Sequence, residues 1–444
     1  MHTLEQLRAG ALKGARRLDL QAGLTELPPE VFDLADSLEV LNLSGNALSE
    51  LPSELPRLRK LKVLFCSDNR FTRVPEVVGQ CESLTMVGFK SNAVRELPAA
   101  SLPPRLRWLI LTDNQLQALP ANLGERPLEK VALAGNRLSQ LPESMAQCDR
   151  LGLLRLSANQ FDSLPGWLLT LPRLAWLAVG GNPWNRARED HALASVDMPV
   201  LPWSSLRVGE LLGQGASGHI HAAHHDAGEA GLRELAVKVF KGQVTSDGWP
   251  HSEWASSLAA GQHPHLISAC AQLTGHPQDA EGLLMPRIGP EYRVLAGPPS
   301  LESCTRDVYA PHTAFTWPVA LRLLQGVAQA ALHLHQHGIT HGDLYAHNLL
   351  WREDGDCRLG DFGAATLLPA HLDAPTRRAF EQVEVLAFGH LMEEVLQRLT
   401  AQPSGHAEAP ARRLQPLRGA CRVAQANARP TFADIANELA SVAL

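Results

Sequence analysis

The feature that most constrains how this chain can fold is a regular series of asparagines in its first half. Successive members are 22 or 23 residues apart, and each follows a short segment rich in leucine, such as residues 38–43. A repeat of this length predicts a solenoid, because so short a unit can bury its apolar side chains only against neighbouring units. The series consists of Asn46, Asn69, Asn92, Asn114, Asn136, Asn159 and Asn182.

Each repeat unit continues to a Leu-Pro pair, as at residues 51–52, 119–120 and 141–142. This pattern resembles leucine-rich repeats, and it predicts a leucine-rich repeat domain over residues 1–185 with about eight repeats. The leucines are expected to stack from unit to unit, and the asparagines to hydrogen-bond the backbone where each strand turns away. Binding function must then come from the strand positions that point away from the core.

Apolar residues occupy many of those outward positions, which predicts an interaction surface. Monomeric proteins seldom expose a contiguous apolar strip, and tryptophan and methionine are enriched where proteins bind one another. The alternative is that flanking side chains partly cover the strip. Its expected partner is another protein or the second half of the same chain. One column of the strip consists of Val40, Val63, Met86, Trp108, Lys130, Leu153 and Trp176, and the next adds Phe65 and Ile110.

Four short motifs follow one another in the second half of the chain. A glycine-rich run spans residues 213–220, a lysine stands in a β-like run at position 238, and His-Gly-Asp and Asp-Phe-Gly begin at positions 341 and 361. Their order is stronger evidence than any single motif, and residues 203–444 resemble a eukaryotic-type protein kinase domain. Residues 186–202 are predicted to be a linker. The expected fold class is an α/β leucine-rich-repeat solenoid followed by an α+β bilobal protein-kinase-like domain.

The resemblance implies ATP and Mg²⁺ as cofactors. Glycines let the loop close on phosphates without side chains in the way. Lys238 is implied to hold the α- and β-phosphates, with Glu253 as its carboxylate partner on a helix. Met285 would be the gatekeeper, and Ile288 would lie beside adenine. The implied ATP-binding residues are Gly213, Gly215, Gly218, Ile220, Lys238, Met285 and Ile288.

The same resemblance assigns the catalytic chemistry to the last two motifs. Asp343 is implied to accept the proton of the substrate hydroxyl. Asn348 and Asp361 are implied to bind Mg²⁺, since hard oxygen ligands suit that ion. These roles predict phosphoryl transfer by positioning and charge neutralisation.

The catalytic loop departs from the usual protein kinase pattern at three positions. Gly342 replaces the arginine of His-Arg-Asp, so activation by loop phosphorylation is less expected. Tyr345 and His347 stand where protein kinases carry a lysine or an arginine. Neither side chain bears a permanent positive charge, which predicts some loss of transition-state stabilisation.

The segment that positions a peptide substrate in protein kinases is expected to be short here. Only 21 residues separate Gly363 from Glu384, and no Ala-Pro-Glu element lies between them. Thr366 and Thr376 are the hydroxyl residues of this segment, and either could be an autophosphorylation site.

These motifs predict an ATP-dependent protein kinase that acts on serine or threonine hydroxyls, its own included, and whose repeats recruit a substrate or a regulator. Two alternatives stay open. One is a pseudokinase scaffold that works through its repeats, and the other is a kinase with a small-molecule acceptor.

Composition narrows the setting in which this chemistry takes place. With 45% apolar and 19% charged residues the chain is expected to be globular, and its net charge of −6 argues against nucleic-acid or membrane partners. No run approaches about eighteen apolar residues, so no membrane span is expected. Seven scattered cysteines predict reduced thiols and a cytoplasmic location, either in the producing cell or, for an injected effector, in a host. Abundant alanine, leucine, arginine and proline suggest a bacterial source.

Overall fold

The computed structural model describes residues 2–195, 198–215, 217–226, 232–242, 244–245, 247–400 and 408–442. The chain divides into two compact units, Met1–Leu171 and Pro172–Leu444. Among the described residues, no helix is both long enough and apolar enough to cross a membrane. All seven cysteines are free thiols, as their scattered positions predict.

The first unit is a stack of three-residue strands that pair in parallel and in register. It begins with the short helix α1 (Leu4–Arg8), and 3₁₀ helices such as Pro29–Leu34 connect the strands. The connections are shorter and tighter than α-helices, because a repeat of 22 or 23 residues leaves little chain between strands. The strands are β1 (Arg17–Asp19), β2 (Val40–Asn42), β3 (Val63–Phe65), β4 (Met86–Gly88), β5 (Trp108–Ile110), β6 (Lys130–Ala132) and β7 (Leu153–Arg155).

The repeat asparagines hold the backbone at the end of each strand, as the sequence predicts. Asn159 is fully buried, and its Oδ1 accepts a hydrogen bond from the Leu138 backbone N–H at 3.0 Å. Its Nδ2 donates to the carbonyls of Leu133 at 2.9 Å and Leu156 at 3.0 Å. One amide therefore satisfies backbone groups of two neighbouring repeats, which a leucine core alone cannot do.

The predicted binding strip has the expected register, but much of it is not exposed. From Val40 to Leu153, each residue of the first column lies opposite its counterpart on the next strand. Val63, Met86 and Leu153 are buried, with exposures of 6%, 4% and 3%, so the prediction of a solvent-facing strip is wrong at these positions. Neighbouring strands lie about 4.8 Å apart, so that long side chains cover their neighbours. The half-buried members are Val40, Phe65, Trp108, Ile110 and Lys130.

Lys130 illustrates how this column covers itself. Its Nζ lies 4.2 Å from the centroid of the Trp108 ring, a cation–π contact between adjacent strands. Phe65 similarly lies against Gly88, where a Cβ atom would stand 2.7 Å from the Phe65 ring.

The second unit opens with an eighth repeat strand and continues into a mixed sheet followed by helices. Its strands and helices are β8 (Trp176–Ala178), α2 (Pro183–Ser195), β9 (Val200–Pro202), β10 (Leu206–Gln214), β11 (Gly218–Asp226), β12 (Leu232–Phe240), α3 (Pro250–Ala260), β13 (Ala271–Thr274), β14 (Gly282–Pro286), β15 (Arg293–Val294), α4 (Trp317–Gln336), β16 (Ile339–Thr340), β17 (Leu349–Trp351), β18 (Cys357–Leu359), β19 (Thr366–Leu367), α5 (Ala374–Leu396), α6 (Glu408–Cys421) and α7 (Phe432–Ser441).

The mixed sheet has the strand order β10-β11-β12-β14-β13-β9. Its central strands are antiparallel, whereas β9 joins the edge parallel to β13. Side chains alternate along β12, so Val237 points into the sheet core while its neighbour Lys238 points to the opposite side. This alternation is what turns the lysine toward helix α3.

The C-terminal part of this unit is helical around α4 and α5, which bury most of their apolar side chains. Two small sheets, β15-β17-β18 and β16-β19, carry the loops that contain the His-Gly-Asp and Asp-Phe-Gly motifs. A solenoid of parallel strands followed by a mixed sheet and a helical region confirms the expected fold class.

The division between the units differs from the predicted domain boundary. The predicted linker, residues 186–202, contains most of α2 and all of β9. The last repeat strand lies in the second unit, and Val179, directly after it, donates its N–H to Thr366 Oγ1 of strand β19 at 3.1 Å. The repeat period alone does not reveal such a contact, so it misplaces the boundary between the units.

The asparagine network makes a testable prediction about the stability of the first unit. Asn159→Ala is expected to lower its free energy of unfolding by at least about 2 kcal/mol, because buried backbone groups lose their partners. Gln160→Ala, at the exposed neighbouring position, is the control and should change little. Denaturant unfolding followed by circular dichroism measures both variants, and equal midpoints would contradict a structural role for Asn159.

Candidate active site

Lys238 forms the centre of the candidate active site. Its Nζ lies 2.6 Å from Glu253 Oε1 and 3.1 Å from Asp361 Oδ1, and its side chain is only 5% exposed. The strand β12, the helix α3 and the Asp-Phe-Gly loop each supply one of the three charges. The predicted pairing of Glu253 with Lys238 is thus present in the structure.

The pKa values of these three groups are coupled. Burial works to lower the pKa of Lys238, but the charges of Asp361 and Glu253 outweigh it and raise that pKa. Burial raises the pKa of Glu253 to about 7, although the nearby lysine opposes this. Burial also works to raise the pKa of Asp361, but the charge of Lys238 prevails and lowers it. Lys238 and Asp361 are accordingly an ion pair at neutral pH.

The glycine-rich loop lies above this cluster. The Gly215 N–H donates to the Gly218 carbonyl at 3.0 Å and closes the turn, although Ala216 between them is outside the described residues. A Cβ atom at Gly218 would stand 2.4 Å from the Val239 carbonyl oxygen, so this position requires glycine. A Cβ atom at Gly213 or Gly215 would meet nothing within 4 Å, which leaves room for a ligand beneath the loop.

The catalytic loop presents Asp343 next to Asn348. Asn348 Nδ2 donates to Asp343 Oδ2 at 2.8 Å and to its main-chain oxygen at 2.9 Å. The bond uses the amide nitrogen of Asn348, so the amide oxygen is the atom that could bind a metal ion. His341 supports the loop through its imidazole, which hydrogen-bonds the Gly360 carbonyl at 2.9 Å.

Asp361 adopts a left-handed backbone conformation, with φ of 58°, at the start of the Asp-Phe-Gly turn. Its Oδ1 accepts a hydrogen bond from the Gly363 N–H at 3.2 Å, which offsets the cost of that conformation. One carboxylate therefore fixes the turn and reaches Lys238.

A cleft of about 1370 Å³ connects these groups. Ile220, Met285 and Ile288 line it toward the mixed sheet, and Asp343 and Asn348 line it toward the helical region. The structure therefore brings all of the predicted ATP-binding and catalytic residues to one cleft or its immediate wall. The other predicted residues that line the cleft or its wall are Gly213, Gly215, Gly218, Lys238, Glu253 and Asp361.

These residues fit a nucleotide with Mg²⁺. Mg²⁺ usually takes one or two protein oxygen ligands and completes its shell with phosphates and water, so Asp361 and Asn348 suffice. Within the described residues, no group of three or more His, Cys, Asp or Glu could hold a metal ion alone. The site accordingly suits a metal delivered with phosphates.

Two acids outside the catalytic loop support it. Glu384 accepts a hydrogen bond from the Gly342 N–H at 2.8 Å and contacts His335 Nε2 at 2.7 Å. Asp307 lies 2.7 Å from His347 Nδ1 and accepts from the His347 backbone N–H at 3.0 Å. Glu384 lies on the long helix α5, whereas no sequence motif marks Asp307 for this role.

Asp307 favours the protonated, positively charged form of His347. Burial works to lower the pKa of His347, but the hydrogen bond with Asp307 and the charge of Asp343 outweigh burial and raise it. His347 Nε2 stands 4.0 Å from Asp343 Oδ2. The loop without a lysine or an arginine thus contains an imidazole whose protonated form is favoured.

Tyr345 is covered by Trp176 of the last repeat strand. The two rings stack with centroids 4.3 Å apart and planes inclined by 5°, and Trp176 Nε1 donates to the Leu344 carbonyl at 3.2 Å. His390 stacks on Trp176 as well, at 5.5 Å. Trp176 is 3% exposed, so its predicted place on an open binding surface is wrong, and the second half of the chain is its partner.

The segment after the Asp-Phe-Gly motif is partly buried and hydrogen-bonded to the last repeat. Thr366 belongs to β19, is fully buried, and accepts a hydrogen bond from the Val179 N–H. Its hydroxyl is inaccessible, which corrects its prediction as an autophosphorylation site. Thr376 is half-buried on helix α5 and stays a candidate.

Gly342 shows why the usual arginine is missing from the catalytic loop. Its φ is +70°, and a Cβ atom would stand 2.4 Å from the Ala364 carbonyl oxygen and 2.8 Å from that of Leu177. The Ala364 carbonyl and the strand β8 therefore both occupy the space that a side chain at position 342 requires.

Substitution at Gly342 tests this packing. Gly342→Arg, which restores the usual motif, is expected to destabilise the second unit by at least about 2 kcal/mol, because it adds strain and a backbone clash. Gly419→Ala is the control, since a Cβ atom there meets nothing within 4 Å. Thermal unfolding followed by fluorescence measures both. A Gly342→Arg variant as stable as the unaltered protein would contradict the close approach of β8.

The similarity to known proteins agrees with this geometry. A family model described as protein tyrosine and serine/threonine kinase matches residues 206–398, and one for the leucine-rich repeat matches residues 37–58.

Three relatives show how far this similarity extends. The chain is 35% identical over 168 residues to Nephrocan from Mus musculus, 32% over 151 residues to leucine-rich repeat serine/threonine-protein kinase 1 from Mus musculus, and 31% over 176 residues to CBL-interacting protein kinase 22 from Oryza sativa. These matches cover 34%, 32% and 38% of this chain, but only 31%, 7% and 38% of the relatives. None of the three is bacterial, so they give no support to a bacterial source. The chain carries a leucine-rich-repeat region followed, over residues 206–398, by a protein kinase domain of the tyrosine and serine/threonine kinase family.

Proposed function

We propose that this protein is an active, Mg²⁺- and ATP-dependent protein kinase that phosphorylates serine or threonine hydroxyls, its own included. The observation that carries the proposal is the complete charge cluster in one cleft. Lys238 pairs with both Glu253 and Asp361, and Asp343 is oriented by Asn348. A scaffold that never handled phosphate would not need the buried Lys238 and Glu253, because each of these two charges is costly to desolvate.

Each residue of the cluster has a defined task in phosphoryl transfer. Lys238 neutralises the negative charge of the nucleotide phosphates and is held in place by Glu253. Asp343 accepts the proton of the acceptor hydroxyl, and the bond from Asn348 keeps its carboxylate turned to the cleft. Asp361 and Asn348 would hold Mg²⁺, which would neutralise negative charge on the transferred phosphoryl group.

His347 supplies positive charge near Asp343 in place of the missing lysine or arginine. Its position, 4.0 Å from Asp343 and bonded to Asp307, supports this role. Because Asp307 partly neutralises the imidazolium charge, His347 is expected to stabilise the transition state less than a lysine would.

A kinase with a small-molecule acceptor is the second candidate. Trp176 covers Tyr345, and β8 packs on the catalytic loop and on Thr366. An extended peptide normally lies along the segment after the Asp-Phe-Gly motif, and here that segment contacts the chain itself. This packing favours an acceptor that enters through the cleft.

The leucine-rich repeats are proposed to bind the protein substrate or a regulator. The half-buried Phe65, Trp108 and Ile110 are the apolar side chains of the strip that stay partly accessible. The location in a cytoplasm, of the producing cell or of a host, stays a prediction.

Phosphate transfer from labelled ATP tests the proposal. Purified protein is incubated with labelled ATP and Mg²⁺, alone, with a generic protein substrate, and with a panel of hydroxyl-bearing small molecules. Asp343→Asn is expected to reduce transfer by about 10²- to 10⁴-fold, because the general base is lost. Asp279→Asn, at an exposed position on another loop, is the matched control and should not change the rate.

The acceptor that gains label separates the candidates. Label on protein that depends on Asp343 supports the protein kinase, and label on a small molecule alone supports the second candidate. ATP binding without transfer to any acceptor would indicate a pseudokinase scaffold and overturn the proposal.

A further inference from the structure

Helix α2, which directly follows the last repeat, packs along helix α3, which carries Glu253. Leu193 of α2 packs with Trp254 and Leu258 of α3 in one apolar cluster. The Arg186 guanidinium lies 5.4 Å from the ring centroid of Trp249, the residue that caps the start of α3. These contacts place α2 along α3 from its N-cap residue to its last turn.

Glu189 is the polar centre of this interface. It is 1% exposed, and its Oε1 accepts hydrogen bonds from the Gly181 N–H at 2.9 Å and from Asn185 Nδ2 at 3.0 Å. Its Oε2 accepts from the Ser252 hydroxyl at 3.2 Å. A buried carboxylate is costly unless it is well hydrogen-bonded, and here both oxygens are bonded.

Ser252, which donates to Glu189, directly precedes Glu253, the partner of Lys238. Ser252 and Glu253 lie in the first turn of α3, and no side chain of the Trp249 cap bonds that turn. The start of α3 therefore lacks the usual capping bond that would fix it from within. Glu189 supplies an acceptor to this turn from outside.

Other contacts of α2 reach strand β19 and the last repeat of the same unit. Asn185 Nδ2 donates to the Leu367 carbonyl at 3.3 Å, and the Asn182 N–H donates to Asn185 Oδ1 at 3.1 Å. The helix is thus fixed to strand β19 and to the last repeat asparagine. Because its base is fixed, it can transmit a definite position to α3.

We propose that helix α2 holds helix α3 where Glu253 pairs with Lys238, and that Glu189 is the positioning residue. The inference rests on the proposed function, because the pair positions ATP for transfer. Glu189 touches no part of the cleft and acts through Ser252 and the backbone of α3.

Variants of Glu189 separate the effect of its hydrogen bonds on activity from the effect of its side-chain volume. Glu189→Met keeps a similar size but accepts no strong hydrogen bond, and it is expected to lower kcat/KM for ATP by about tenfold to a hundredfold. Glu189→Gln is the conservative variant, because its amide oxygen still accepts and its amide nitrogen can donate to Ser252. It should keep most of the activity. Asp190→Asn is the matched control, since its pair with His251 is largely exposed and contributes little.

A double-mutant cycle shows whether Glu189 acts through the ion pair. If it does, Glu189→Met lowers kcat/KM strongly in the unaltered protein but adds little in a Glu253→Gln background. Hydrogen exchange should also speed up in α3 and not in α7. Additive losses in the cycle, or exchange that rises equally in both helices, would make Glu189 a general structural residue and overturn the inference. Ser252→Ala, which removes one bond, replaces Glu189→Met in both tests if the methionine variant does not fold.

The readouts distinguish this inference from the proposed function. Absence of transfer by the unaltered protein refutes the kinase activity. In that case ATP affinity and α3 exchange still test α2, with weaker binding and faster exchange expected for Glu189→Met but not for Glu189→Gln. Unchanged affinity and exchange in Glu189→Met would overturn the inference, whatever the transfer assay gives.

Discussion

The burial of Lys238 is the constraint on which the rest of the catalytic unit depends. Removing an ammonium group from water costs several kcal/mol, and only close carboxylates with good geometry offset that cost. Glu253 at 2.6 Å and Asp361 at 3.1 Å provide them. Since they come from helix α3 and from the Asp-Phe-Gly turn, the lysine is stable only when both of those elements are in place.

That requirement extends beyond the cleft to the last repeat. Helix α3 starts without a side-chain cap and is contacted by α2. Val179, between strand β8 and α2, bonds Thr366 of the segment after the Asp-Phe-Gly motif. The residues from Pro172 onward therefore belong physically to the catalytic unit, although their sequence has the repeat pattern. Glu189, buried with three hydrogen bonds, links the two parts.

The unusual residues of the catalytic loop have a common cause in this packing. Gly342 leaves space for the Leu177 carbonyl, and Tyr345 offers a flat ring on which Trp176 stacks. An arginine at position 342 would collide with β8, and a lysine at position 345 would remove the ring on which Trp176 stacks. The loop therefore lacks two permanent cations at the positions that contact the repeat strand. His347, bonded to Asp307, is the titratable cation that lies next to Asp343.

The sequence by itself determined the repeat register, the structural asparagines, the strand of Lys238, and the set of residues that meet in the cleft. It could do so because those features follow from local periodicity and from motifs of fixed spacing. Only the tertiary structure decided that Trp176 and Thr366 are buried, that residues 183–195 form a helix against α3, and that Glu189 and Asp307 support the site. Those outcomes depend on contacts between residues up to almost 190 positions apart, such as Val179 with Thr366, and no local pattern records them.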